Sequence, residues 1–255
     1  MKFHKWQLLF ALSLIITSFL IYLFHYVVFK DLHHIMVFLV EDIAFLPIEV
    51  LLVTLIIHRL LSYLEKSSRL EKLNMVIGVF FVQIGTRLLA YLSDLDPELE
   101  SIRSNLLITS LWSDEDFTRI GGCLKGYKYK IDINRLDLIY LSALLSKERE
   151  FFLRLIENPA LMEHESFTDL LLAIFHLTEE LARRPRLEGL PRSDMDHLAV
   201  DIERTYRLLA LEWLDYMRYL KGSYPYLFHL AMRTNPFDQT ASPVVLEEPS
   251  RRLES

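Results

Sequence analysis

Three carboxylates, Glu41, Asp42 and Glu49, interrupt an otherwise apolar run from His34 to Ile57, with Pro47 between them. Carboxylates set among lipid-compatible side chains have one evident chemistry, the binding of cations. Near the middle of a bilayer each costs roughly 2.5–3.5 kcal/mol even on a lenient scale, so such groups persist where something answers them. Asp42 and Glu49 are seven residues apart and fall on one helix face, which Phe45, Val53 and Ile56 continue. Glu41 points about 100° away from that face. Pro47 has no amide hydrogen, so the carbonyl of Ile43 loses its helical donor. A freed carbonyl beside carboxylates is a cation ligand or simply the site of a kink.

A second group lies in residues 162–181, MEHESFTDLLLAIFHLTEEL, with Glu163, His164, Glu165, Asp169, His176, Glu179 and Glu180. Asp194, Asp196, His197 and Asp201 follow. Glu-x-x-His pairs on helices build di-metal centres in four-helix bundles. Here His176-x-x-Glu179 is reversed and has no second matching pair, so a solvated face is the plainer expectation. His176 and Glu180 are the best-placed pair for a divalent cation. The aromatic run 224–237, with His229 and Arg233, reads as a helix docked on a core or a subunit boundary. Tyr127 and Tyr129, interleaved with Lys125, Lys128 and Lys130, read equally as a basic surface loop or as a contact for anionic headgroups. No Gly-rich phosphate loop, Gly-x-Ser-x-Gly elbow, HExxH or Cys/His nucleophile pattern is present, so no enzyme and no other cofactor is expected.

The elements that must position these residues are helical. The chain has 255 residues with 7 Gly and 9 Pro, so punctuation is scarce and long helices are expected. Mean hydropathy is +0.23, yet 24% of residues are charged, so the apolarity is concentrated. It lies at the front. Leu8 to Phe29 holds no charged residue, and about 22 residues at 1.5 Å rise span a hydrocarbon core. Lys2 and Lys5 precede this run as they would in a signal peptide, but the run is too long for one and residues 25–34 offer no small-x-small cleavage site.

The expected architecture is therefore all-α. A two-helix transmembrane hairpin (helices about 6–29 and 35–58) fills residues 1–60. The second helix continues as a long membrane-proximal helix through 61–96, ending near Ser93. A helical cytoplasmic domain occupies 97–237 and a disordered tail 238–255. Residues 73–92 are apolar enough to raise a third span, but Gln83 and Arg87 break the run and favour a core helix. Within the domain 97–112 is expected as one amphipathic stretch, with helices at 134–157, Ser166–Arg184 (capped by Ser166) and Ser193–Leu220 and a short last element at Tyr224–Thr234. Gly121-Gly122 and residues 125–132 form the main loop, with room for a short strand.

Basic residues fix an orientation. Lys2, Lys5, Arg59, Lys66, Arg69 and Lys72 flank one side of the hairpin and Lys30 alone the other, so both termini are expected in the cytoplasm of a two-pass cell-membrane protein. The single cysteine, Cys123, excludes an internal disulfide and fits the reducing cytosol. A net charge of −6 leaves no nucleic-acid footprint. The first helix carries no Lys or Arg at mid-depth to neutralise Glu49; the hairpin places Thr17 and Ser18 at about the depth of Glu49 and His25 at about that of the outer pair. Self-association around the polar stripe removes the difficulty, as a dry interface or a wet pore. The expectation is a homo-oligomer in the lipid bilayer whose second helix lines a cation path with Asp42, Glu49 and Glu41, controlled by the helical domain. The rival is a non-conducting membrane-anchored sensor or interaction protein.

Overall fold

A computed structural model of the chain describes residues 5–159, 161 and 164–244. All regular structure among them is helical. The chain divides into two compact units, Met1–Ser67 and Ser68–Ser255.

The first unit contains α1 (Lys5–Phe29) and the N-terminal part of α2 (Leu32–Phe80). Between Trp6 and Phe29 nothing breaks the helix. The hydroxyls of Ser13 and Thr17 turn back onto the carbonyls of Phe10 and Ser13, at 2.8 and 2.9 Å. The chain leaves α1 through Lys30, which adopts φ 51° in the left-handed region and donates its N–H to Tyr26 O at 2.8 Å. From Met36 to Leu64 the large apolar side chains of α2 are exposed, from 37% at Leu39 to 72% at Tyr63.

In the second unit the helical path continues beyond Phe80 through a π turn, Phe81–Gly85, into α3 (Thr86–Asp94). The turn is closed by Thr86 N–H donating to Phe81 O. Gly85 permits it: a Cβ there would lie 2.7 Å from both Phe80 Cε1 and Phe81 Cδ1. One helical stretch among the described residues, Glu71–Asp94, is long and apolar enough to cross a membrane, and 44% of its apolar window is buried. Its Leu73, Ile77, Phe80, Ile84, Leu88 and Leu92 enter the core of the unit. By the same measure α1 holds a shorter apolar stretch, Leu12–Val28.

The remaining elements are α4 (Glu100–Arg103) with a 3₁₀ turn at Ser104–Leu106, α5 (Asp114–Gly126), α6 (Leu138–Lys147), α7 (Arg149–Ile156), α8 (Glu165–Ala182), α9 (Arg192–Ser223) and α10 (Pro225–Arg233). The 32-residue α9 is the axle. It packs on α3, α5, α8 and α10, and α8 in turn packs on α6 and α7. Phe80 meets Phe167 of α8 edge to face at 5.3 Å, Phe81 stacks on Tyr216 of α9 at 4.9 Å, and Trp213 meets Phe237 at 5.1 Å.

Several local expectations are corrected. Gly121 and Gly122 lie inside α5. A full capping box at Ser113 and Asp116 starts that helix, and Phe117, Ile120 and Leu124 bury one face. Two interior glycines cost about 1 kcal/mol each, which a capped and buried helix outweighs. Residues 125–132 contain no strand, although Tyr129 and Ile131 are buried. The stretch 97–112 holds only α4 and the 3₁₀ turn. The expected 134–157 helix is two helices, broken at Glu148 (φ −101°, ψ 7°). His164, not Ser166, caps α8: its Nδ1 accepts the Phe167 N–H at 3.3 Å. Residues 245–255 of the expected tail, and Lys2 and Glu163, lie outside the described residues.

Candidate functional site

The acidic face of α2 keeps the register read from sequence. The helix passes through Pro47 without interruption. Glu41, Asp42 and Glu49 are all exposed, and among the described residues none makes a hydrogen bond or ion pair. Phe45, Val53 and Ile56 are exposed at 56%, 48% and 65%. Thr17 satisfies its hydroxyl within its own helix, so it is not held toward Glu49. The result is an apolar helical surface carrying unanswered carboxylates.

The packing of α8 on α9 brings His176 and Glu180 of the first acidic and histidine-bearing group together with Asp194, His197 and Asp201 of the second. Asp201, 8% exposed in its side chain, is the focus. Its Oδ1 accepts from Arg204 Nη2 at 2.9 Å, while its buried Oδ2 lies 3.3 Å from His176 Nε2 and 3.7 Å from His197 Nε2. Beside it Arg184 bridges the two helices. Its Nε and Nη2 donate to both carboxylate oxygens of Asp194, at 2.9 and 2.7 Å, and its Nη1 donates to Glu180 Oε2 at 2.9 Å. The Arg184 guanidinium holds the Glu180 and Asp194 carboxyls below their usual range.

This arrangement is a clamp of ion pairs and hydrogen bonds across α8 and α9. His176 turns to Asp201, Glu180 is engaged by Arg184, and no three His, Cys, Asp or Glu among the described residues are grouped to hold a metal ion.

Three buried acids escape the sequence reading. Glu148, at the break between α6 and α7, accepts from Gln83 Nε2 at 3.0 Å and so ties the π turn to that break. Asp96 is 7% exposed and accepts from the Tyr127 hydroxyl at 2.8 Å and the Glu98 N–H at 3.0 Å. Burial pushes its carboxyl up. Burial, with the Asp96 charge, also raises the Tyr127 and Tyr206 hydroxyls far above the ordinary tyrosine value. Glu212 is 3% exposed and accepts from Ser166 Oγ at 2.9 Å. Burial pushes it up to about 7. A lone acid inside an apolar helix stripe is the one sequence signal that marks such residues, and Glu212 between Leu211 and Trp213 carries it.

The aromatic run 224–237 docks on the domain core: Phe228 and Phe237 are 2% and 1% exposed. The basic tyrosines divide, with Tyr129 buried and Lys130 paired to Glu98.

Two family models match, in the order of the two units. "MJ1433, N-terminal helical domain" matches residues 2–61, and "Uncharacterized protein MJ1433, C-terminal helical domain" matches residues 69–233. The chain is 46% identical over 248 residues to "Uncharacterized protein MJ1433" of Methanocaldococcus jannaschii, covering 97% of this chain and 99% of the relative. No solved structure matches.

Proposed function

The chain belongs to the MJ1433 family, of which it carries both the N-terminal and the C-terminal helical domain, and from that premise we propose that it is a homo-oligomeric membrane protein whose α2 helices line a cation path. The N-terminal domain is the membrane hairpin, α1 and α2 to about residue 58, with both termini in the cytoplasm. The observation that carries this reading is the exposed apolar surface of α1 and α2 with three carboxylates on it. Water would not tolerate such a surface, since exposed apolar area of this extent marks a membrane or an interface. Lipid would not tolerate the carboxylates unless copies of α2 face one another.

Asp42 and Glu49 then form acidic rings that attract cations, and Phe45, Val53 and Ile56 on the same face form apolar constrictions. Glu41, off that face, meets the outer boundary. The backbone of α2 is helical from Leu32 to Phe80, where Phe80 enters the domain core. A helix of that length transmits a change in the core to the path.

A second reading is a non-conducting anchor whose helical domain binds ligands or partners. It is favoured by a domain that has its own complete core and clefts. The mass of the detergent-solubilised particle separates the two. A ring of four or more subunits supports the path, and a monomer or dimer supports the anchor.

A further inference from the structure

A cleft of about 810 Å³ opens between α3 and the loop after α10. One wall is a stripe at four-residue steps, Val82, Thr86, Ala90 and Asp94, which begins in the π turn. The other wall is the loop 234–241, pinned at three points. Phe237 is buried against Trp213, Asn235 Nδ2 donates to Leu106 O at 2.8 Å, and Phe237 O accepts from Arg103 Nη1 at 3.0 Å. Both walls are anchored in the core, so the cleft is preformed.

Three arginines from separate elements meet there: Arg87 of α3, Arg103 of α4 and Arg135 of the segment before α6. Arg103 is locked by Glu100 (Nε to Oε2, 2.8 Å) and by Phe237 O (Nη1, 3.0 Å). Arg87 spends one N–H on the carbonyl of Gln83 in its own helix, at 3.1 Å. Arg135 is exposed, and its guanidinium has no hydrogen bond or ion pair among the described residues. The carboxylates of the cleft, Asp94 and Asp238, form no ion pair with these arginines among the described residues, and Asp238 Oδ1 is occupied by the N–H and hydroxyl of Thr240. The guanidinium forks therefore line a concave surface with most of their donors unspent, which is the arrangement that recognises tetrahedral oxyanions.

We propose that this cleft binds a small ligand carrying a phosphoryl group, with Arg87 and Arg135 as the direct donors and Arg103 as the fixed charge beside them. A carboxylate needs one fork; two forks from separate elements, with a third guanidinium charge beside them, suit a group with three oxygens. The volume is that of a ligand site, roughly 300–1,000 Å³, so the phosphoryl group sits on a larger body, for which Val82, Ala90 and Pro236 offer apolar contact. Binding ties the C-terminal loop to α3. Binding at this cleft does not require ion conduction.

The test uses the full chain in nanodiscs of neutral phosphatidylcholine, followed by thermal unfolding and equilibrium titration. The soluble probes are inorganic phosphate and a nucleoside triphosphate, each at ionic strength matched with chloride. In a parallel arm the nanodiscs contain phosphatidylglycerol and no soluble probe. Saturable stabilisation by a soluble probe assigns the site to a free phosphorylated ligand, and stabilisation by phosphatidylglycerol alone assigns it to a lipid headgroup. In either case the Arg87→Gln/Arg135→Gln variant, altered only at exposed positions, unfolds at the wild-type temperature without ligand and loses binding by about tenfold or more. Absence of stabilisation in every arm, or stabilisation undiminished in the double variant, overturns the proposal.

Discussion

Ser166, in the first turn of α8, donates its hydroxyl to Glu212 of α9 over 2.9 Å, and the other oxygen of Glu212 lies 4.0 Å from His164 Nδ1. His164 uses that nitrogen to accept the Phe167 N–H, so in this arrangement the nitrogen facing Glu212 carries no proton. The acid is thus buried with one neutral donor and no counter-charge in contact.

A pH dependence follows from that burial. Folding raises Glu212 from an ordinary glutamate value to about 7, so the folded chain binds more protons than the unfolded chain between those values. Stability from this group therefore falls as pH rises through that window and is flat above it, by an amount of order 3 kcal/mol at most. Glu212→Gln keeps an acceptor for Ser166 and removes the titration. The variant and wild type should unfold alike at pH 5. At pH 8 the variant should be the more stable by about 1–3 kcal/mol. Unfolding followed by tryptophan fluorescence at the two pH values checks this, and a difference that does not change with pH contradicts it.

Two glycines in helical backbone should respond in opposite directions. A methyl at Gly85 meets Phe80 and Phe81, both fully buried, at 2.7 Å, so Gly85→Ala should destabilise by about 1–3 kcal/mol. A methyl at Gly122, inside α5, meets nothing within 4 Å. Gly122→Ala should stabilise by about 0.5–1 kcal/mol. Paired denaturation curves of the two variants read both signs.

The proposed orientation has a direct probe. Cys123 is exposed on α5 and is the only cysteine of the chain. A membrane-impermeant maleimide should leave it unlabelled in intact cells and label it after lysis. Labelling of intact cells would place the helical domain outside.

How much of this is legible in the sequence depends on whether the signal is local. The all-α class is readable because apolar residues recur at three- and four-residue steps with few Gly or Pro, and Leu73 to Leu92 follow that period into the core. Gly121-Gly122 misleads because a capping box and a buried stripe outweigh a modest propensity cost. Leu99, Leu106 and Ile108 are buried without a regular helix to carry them, so 97–112 reads as more helical than it is. The break at Glu148, whose carboxylate accepts from Gln83 65 residues away, leaves no local mark. The same holds for the sites. Each acidic or histidine-bearing group is visible alone, but that His176 and His197 both face Asp201 is a property of α8 against α9. Arg87, Arg103 and Arg135 lie far apart in the chain and meet only in the fold.

The central claim is that Asp42 and Glu49 line a cation path. Purified wild-type protein in liposomes should pass a monovalent cation down its gradient, read by an enclosed fluorescent indicator. Asp42→Asn and Glu49→Gln should each change the rate or the cation preference, while Glu41→Gln changes them least. No flux above empty liposomes, or flux indifferent to both Asp42→Asn and Glu49→Gln, would contradict the account.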